Sequence, residues 1–154
     1  MNIGIVPARL NSTRLPKKIL MDLCDKPMIA HVMEKAMQSK KLDKVILAVD
    51  SKETIEKLSG YDYEIVMTSE DHNSGTDRVE EVANKFPEAK IVINIQGDEP
   101  VIDPLAISQV INSFKEHGSQ YMVHNLYKII TDISEIESKT IIKVIVNEDD
   151  EVMY

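Results

Sequence analysis

Short runs of Val and Ile, each followed by an amphipathic stretch, constrain this chain more than any other feature of it. Strands are expected over residues 2–6, 44–49, 64–67, 90–95, 121–126 and 141–146, and helices over 28–39, 52–59, 75–85 and 104–116. Near-continuous apolar runs such as Val92-Ile93-Asn94-Ile95 are what a strand shows when both faces of its sheet are covered. Alternating strand and helix implies right-handed crossovers and an α/β fold built on a doubly wound, mainly parallel sheet. Ligands then belong at the carboxyl ends of the strands, where the strand order reverses. Asp25 with Pro27 and Asp103 with Pro104 mark two helix starts, and Asp50 with Glu53 resembles a capping box.

A chain of 154 residues fits one domain, 1–154, with a substantial core. Its 43% hydrophobic and 29% charged residues are ordinary for a soluble protein. No apolar run approaches the roughly 20 residues needed to span a bilayer, and the start lacks the basic and apolar regions of a secretory leader. Cys24 alone excludes an internal disulfide framework and suits a reducing cytoplasm. A net charge of -8 argues against a broad nucleic-acid-binding face.

Against that acidic background, Arg9-Leu10-Asn11-Ser12-Thr13-Arg14-Leu15-Pro16-Lys17-Lys18 concentrates four positive charges just after the run Ile3-Gly4-Ile5-Val6. Arg offers phosphate a planar fork of donors and Lys a mobile point charge, so a basic loop at a strand end suits a polyphosphate. Neither GxxxxGK[ST] nor GxGxxG occurs. A second segment, Gln96-Gly97-Asp98-Glu99-Pro100, follows the strand at 90–95. Mg²⁺ takes one or two carboxylates together with substrate phosphate oxygens and waters. Neighbours on extended chain face opposite ways, so only one of the two acids is expected to face the metal; we choose Asp98, with Glu99 bracing the loop. The third segment, His72-Asn73-Ser74-Gly75-Thr76-Asp77-Arg78, opens a helix. Its backbone N–H groups can read a polar ligand edge, or Ser74 or Thr76 can simply cap the helix. The histidines show no metal-ligand spacing, and no nucleophile–base pair is evident.

Together, Pro-Ala-Arg-x-x-Ser-Thr-Arg-Leu-Pro-x-Lys, His-x-Ser-Gly-Thr-x-Arg and Gln-Gly-Asp-Glu-Pro closely resemble the sugar-acid cytidylyltransferases, most closely the 3-deoxy-manno-octulosonate (Kdo) type, the CMP-Kdo synthetase family. Lys26-Pro27-Met28-Ile29 and Val49-Asp50 also sit where that family has similar residues, and the resemblance covers the chain from Asn2 to Tyr154. It implies a Rossmann-like nucleotidyltransferase fold and the coupling of CTP to Kdo, with release of pyrophosphate, for lipopolysaccharide assembly. The implied cofactor is Mg²⁺, held by Asp98. Arg9, Lys18 and Asp98 are the implied catalytic set, with Arg9 and Lys18 holding the triphosphate and Arg14 supporting. The implied nucleotide-binding set adds Ala8, Ser12, His72, Ser74, Gly75, Arg78 and Gln96.

The family usually reads Leu-Pro-Gly-Lys-Pro where this chain has Leu15-Pro16-Lys17-Lys18-Ile19. Either lysine can be the phosphate ligand, and alignment favours Lys18. Residues 147–150 read as a turn and 151–154 as a returning strand, a pattern expected of a piece of a longer protein; the resemblance implies that the full-length protein is a homodimer. The acceptor is open between Kdo and another sugar acid, such as amino-Kdo or sialic acid. A non-catalytic nucleotide-binding domain is the competing reading.

Overall fold

Strand β1 (Asn2–Ala8) is the spine of the fold, because it pairs in parallel on both sides. The computed structural model describes residues 1–11, 15–118 and 120–154. They fall into two units, Met1–His124 and Asn125–Tyr154, each described by itself.

In the first unit β1 leads through a short 3-10 turn (Lys18–Leu20) and a two-stranded hairpin, β2 (Asp22–Leu23) and β3 (Lys26–Pro27), into helix α1 (Met28–Met37). Strand β4 (Lys44–Val49), helix α2 (Lys52–Lys57), strand β5 (Glu64–Met67), helix α3 (Gly75–Ala83), strand β6 (Ile91–Asn94) and helix α4 (Pro104–His117) follow. The main sheet has the order β5-β4-β1-β6, and all its pairings are parallel. The chain thus moves outward from β1 to β4 and β5, then returns past β1 to lay down β6. The order reverses between β1 and β6. The β1–β6 ladder ends at Ile5–Asn94, whereas the β1–β4 ladder runs on to Ala8–Val49.

Period-two alternation explains the layers. Ile3 and Ile5 of β1, with Ile46 and Ala48 of β4, face Val79 and Val82 of α3. Val6 and Ala8, with Leu47 and Val49, face the other way, onto Ile29, Val32 and Met33 of α1 and Ile107 and Ile111 of α4. The two faces are buried at once, so these strands read as continuous apolar runs. The expected mainly parallel α/β sheet is the observed one.

Two expected caps are replaced. Asp25 does not start α1: with Cys24 it forms the β2–β3 turn, where both residues have positive φ (51° and 67°), as a type I′ turn requires. Asp50 does not cap α2: Ser51 does, its hydroxyl accepting the Glu53 N–H at 3.1 Å, because the Asp50 carboxylate is engaged elsewhere. Asp103 caps α4 as expected, accepting the Leu105 N–H at 2.8 Å.

Residues 121–126 form no strand, and neither does 141–146. In the second unit, Val146 and Val152 form one antiparallel bridge around a turn at 147–150, where Asn147 Oδ1 accepts the N–H groups of Asp149 and Glu151 at 3.0 and 2.8 Å. The returning segment is therefore there as a bridge rather than a strand. Among the described residues no further strand lies against 141–146, and a strand without a ladder partner does not persist. A short helix, α5 (Ile133–Glu137), is capped by Asp132.

Candidate functional site

An open cleft of about 570 Å³ lies at the reversal of strand order, with Pro7, Arg9, Leu15, Lys18, Ile19, Asn73, Ser74, Gly75, Arg78, Gln96, Gly97 and Asp98 around it. Its walls are the ends of β1 and β6, the 3-10 turn and the N-terminus of α3. That is the crevice where an open α/β sheet takes its ligands.

The loop after β1 is held at both ends. Leu10 donates its N–H to Asp50 Oδ1 at 2.9 Å, and Lys17 donates its N–H to the Leu10 carbonyl at 3.1 Å. Ile19 is buried in the core and anchors the 3-10 turn. Its neighbour Lys18 then faces the cleft, where Nζ donates to Asp98 Oδ2 at 2.7 Å. Lys17, in the left-handed region with φ 55°, turns the other way and donates to Glu53 at 2.6 Å. The lysine beside the acidic loop is Lys18, and Lys17 does not line the cleft. Left-handed geometry favours glycine, which is what the resembling motif has at this position.

Asp98 is set by Gly97. A Cβ at position 97 would stand 2.6 Å from the Pro7 carbonyl oxygen and 3.3 Å from Ile29 Cδ1. The absent side chain therefore lets the β6 loop lie directly against the end of β1. Gln96 donates through Nε2 to Asn94 Oδ1 at 3.3 Å. Among the described residues, no group of three or more His, Cys, Asp and Glu side chains is gathered as a metal cage. Among the described residues around the cleft, Asp98 is the carboxylate that could hold a cation.

At α3 the cap is reciprocal. Ser74 Oγ accepts the Asp77 N–H at 3.1 Å, and Asp77 Oδ2 accepts the Ser74 N–H at 2.9 Å. The hydroxyl of Ser74 is thus partly spent on its own helix, while Gly75 lies beside the Pro7 ring, which a Cβ there would meet at an ordinary contact distance of 3.4 Å. His72 sends Nε2 to Glu81 Oε2 at 2.7 Å and does not line the cleft. Glu81 also accepts the Ser69 N–H at 2.9 Å, and this bond, followed by the one to His72, holds its carboxyl below the usual range. Arg78 borders the cleft, yet its side chain is 2% exposed and its nitrogens donate to Asp50 Oδ2, at 3.1 Å, and to Thr68 Oγ1.

Of the residues singled out in the sequence, Arg9, Lys18, Ser74, Gly75, Arg78, Gln96 and Asp98 converge on one cleft. Ala8 is fully buried in the core layer, so only its backbone is available to a ligand. Ser12 and Arg14 lie outside the described residues. Asn73 and Leu15 also line the cleft without having been singled out; both sit inside the two motifs, which was the available signal.

An open parallel sheet with a cationic loop across from an acidic one at its reversal point is the arrangement of a nucleotide-binding α/β domain. A family model described as cytidylyltransferase matches residues 3–154, and the chain belongs to that family. It is 43% identical over 152 residues to the 3-deoxy-manno-octulosonate cytidylyltransferase of Histophilus somni (strain 2336), covering 97% of this chain and 58% of that protein. With the enzyme of the same name from Polynucleobacter asymbioticus it shares 42% identity, over 97% of this chain and 59% of the relative. A solved structure of CMP:2-keto-3-deoxy-manno-octonic acid synthetase complexed with CTP superposes with a TM-score of 0.88 at 32% identity, covering 100% of this chain and 63% of the other. The chain therefore spans less than two thirds of the length of these relatives.

Proposed function

We propose that this chain carries the CTP-binding part of a 3-deoxy-manno-octulosonate cytidylyltransferase, which transfers CMP from CTP to Kdo and releases pyrophosphate for lipopolysaccharide assembly in the cytoplasm. The observation that carries this reading is the meeting of Lys18 and Asp98 at 2.7 Å in a cleft that also takes in Arg9 and the start of α3.

Arg9 and Lys18 bind the triphosphate oxygens, with Ser12 and Arg14 of the same loop adding donors. The exposed backbone N–H groups at the start of α3, with Ser74, Gly75 and Gln96, orient the nucleoside end. Asp98 suits Mg²⁺, since one half-exposed carboxylate facing a phosphate site matches the few protein ligands that ion takes. When bound, the metal supplies positive charge against the phosphate oxygens. The anomeric oxygen of Kdo bonds to the α-phosphorus as the bridging α–β P–O bond breaks, pyrophosphate leaves with the electron pair, and the hydroxyl proton passes to solvent. Charge builds on the departing group, and Lys18 and Arg9 stabilise it from fixed positions, so the chemistry is mainly positioning and electrostatics. His72, bonded to Glu81, takes no part as a base.

Isothermal titration of this chain with CTP and Mg²⁺ tests the reading. Binding of CTP in preference to ATP, GTP and UTP supports it, and heat with another nucleotide but none with CTP overturns it. Pyrophosphate release with CTP and a panel of acceptors (Kdo, amino-Kdo, sialic acid) tests turnover and the choice of acceptor.

A further inference from the structure

Behind the cleft wall, Asp50 divides its carboxylate between two parts of the fold. Oδ1 accepts the N–H of Leu10, the residue after Arg9, at 2.9 Å, and Oδ2 accepts from Arg78 Nη2 at 3.1 Å. The pair is nearly enclosed, with side chains 10% and 2% exposed. Arg78 also donates to Thr68 Oγ1, and the Thr68 hydroxyl donates to the Val49 carbonyl at 2.8 Å. One hydrogen-bonded chain therefore ties the loop after β1, the ends of β4 and β5, and α3. A buried ion pair adds little net stability compared with an apolar replacement of the same volume, so stability alone does not account for it. Its two ends explain it better: one grips the loop that carries Arg9 and Lys18, the other the helix that presents Ser74 and Gly75.

We propose that Asp50 is a positioning residue that fixes the distance between the cationic loop and the N-terminus of α3, so that a nucleoside triphosphate meets both at once. This rests on the cleft being the CTP site. A ligand that engages both halves then depends on Asp50 more than pyrophosphate does, since pyrophosphate needs the cationic loop but not its spacing from α3. Asp50→Ala removes both contacts; Asp50→Asn keeps an acceptor for the Leu10 N–H and loses the charge opposite Arg78.

The test is titration of wild type, Asp50→Asn and Asp50→Ala with CTP and with pyrophosphate, each with Mg²⁺, alongside amide hydrogen exchange of the ligand-free proteins. We expect Asp50→Ala to raise the Kd for CTP about tenfold or more and Asp50→Asn to raise it less, with a several-fold smaller loss for pyrophosphate in each variant. Leu10 exchange should quicken about tenfold in Asp50→Ala while Ile46, in the middle of the sheet, keeps its protection. Unchanged CTP affinity, or equal loss for both ligands, overturns the proposal. Should Asp50→Ala not fold, Asp50→Asn decides by the same comparison. Should wild type not bind CTP, the nucleotide reading fails, and Leu10 exchange alone judges the positioning role: no change in the variants overturns it.

Discussion

The ammonium of Lys18 meets the carboxylate of Asp98 at 2.7 Å across 80 positions of sequence. The contact joins the loop after β1 to the loop after β6, the two strands between which the sheet order reverses. Both side chains are partly solvated, at 36% and 50% exposure, so the pair contributes little to stability. Its consequence is placement: a cation and an anion from distant loops face one cleft.

Lys18→Ala should weaken CTP binding by about 1.5–3 kcal/mol, the worth of a charge-assisted contact. Lys17→Ala should change it by less than about 0.5 kcal/mol, because that ammonium is paired with Glu53 on the surface. Titration calorimetry of the two variants side by side checks the assignment, and a larger loss at Lys17 would reverse it.

Asp98→Asn should abolish the gain in CTP affinity that Mg²⁺ brings. The ratio of Kd values measured in EDTA and in Mg²⁺ should be well above one in wild type and fall close to one in the variant. A ratio that stays at the wild-type value removes Asp98 from the metal.

Lys17→Gly should stabilise the fold slightly, by about 0.5 kcal/mol. A left-handed conformation costs an ordinary residue about 1–2 kcal/mol, and part of the relief is offset by the greater freedom of glycine in the unfolded chain and by the lost Glu53 pair. The urea midpoint measures it, and a lower midpoint in the variant contradicts the backbone argument.

Acid should expose the Glu81 contacts. Because its carboxyl is held below the ordinary 4.5, the stability it contributes is present above pH 4.5 and is lost as pH falls below that value through its folded one. Glu81→Gln should flatten that part of the profile. Urea midpoints between pH 7 and 3 report the difference.

The sheet was legible because its signal is local: β1 and β4 bury alternate side chains on two faces and their Val and Ile runs say so, although the similar run in β6 leaves Val92 and Asn94 exposed on one face. The same signal misled at 141–146, where Ile142 is 96% exposed. Apolar alternation reports a side chain's readiness to be covered and says nothing about whether a neighbouring strand lies beside it. The cleft residues could be gathered because a parallel sheet delivers all its strand ends to one edge. Asp50 was harder. Three residues from Glu53 it has the spacing of a cap, but a buried guanidinium and a backbone N–H from distant loops hold it more firmly than an exposed helix end. His72 likewise turned to Glu81, a partner nine residues along that no motif specifies. The divergence of Lys17 and Lys18 depends on one φ angle, which a sequence shows only as the lack of a glycine.

The position of β1 has a cost during biosynthesis. Strand β1 is made before both of the strands that flank it, and the second of them, β6, is complete only at Asn94. At about 5–20 residues per second, the nascent chain carries Ile3, Ile5 and Val6 unsheltered for several seconds. Pairing that must wait for a strand so distant in sequence also slows refolding from denaturant.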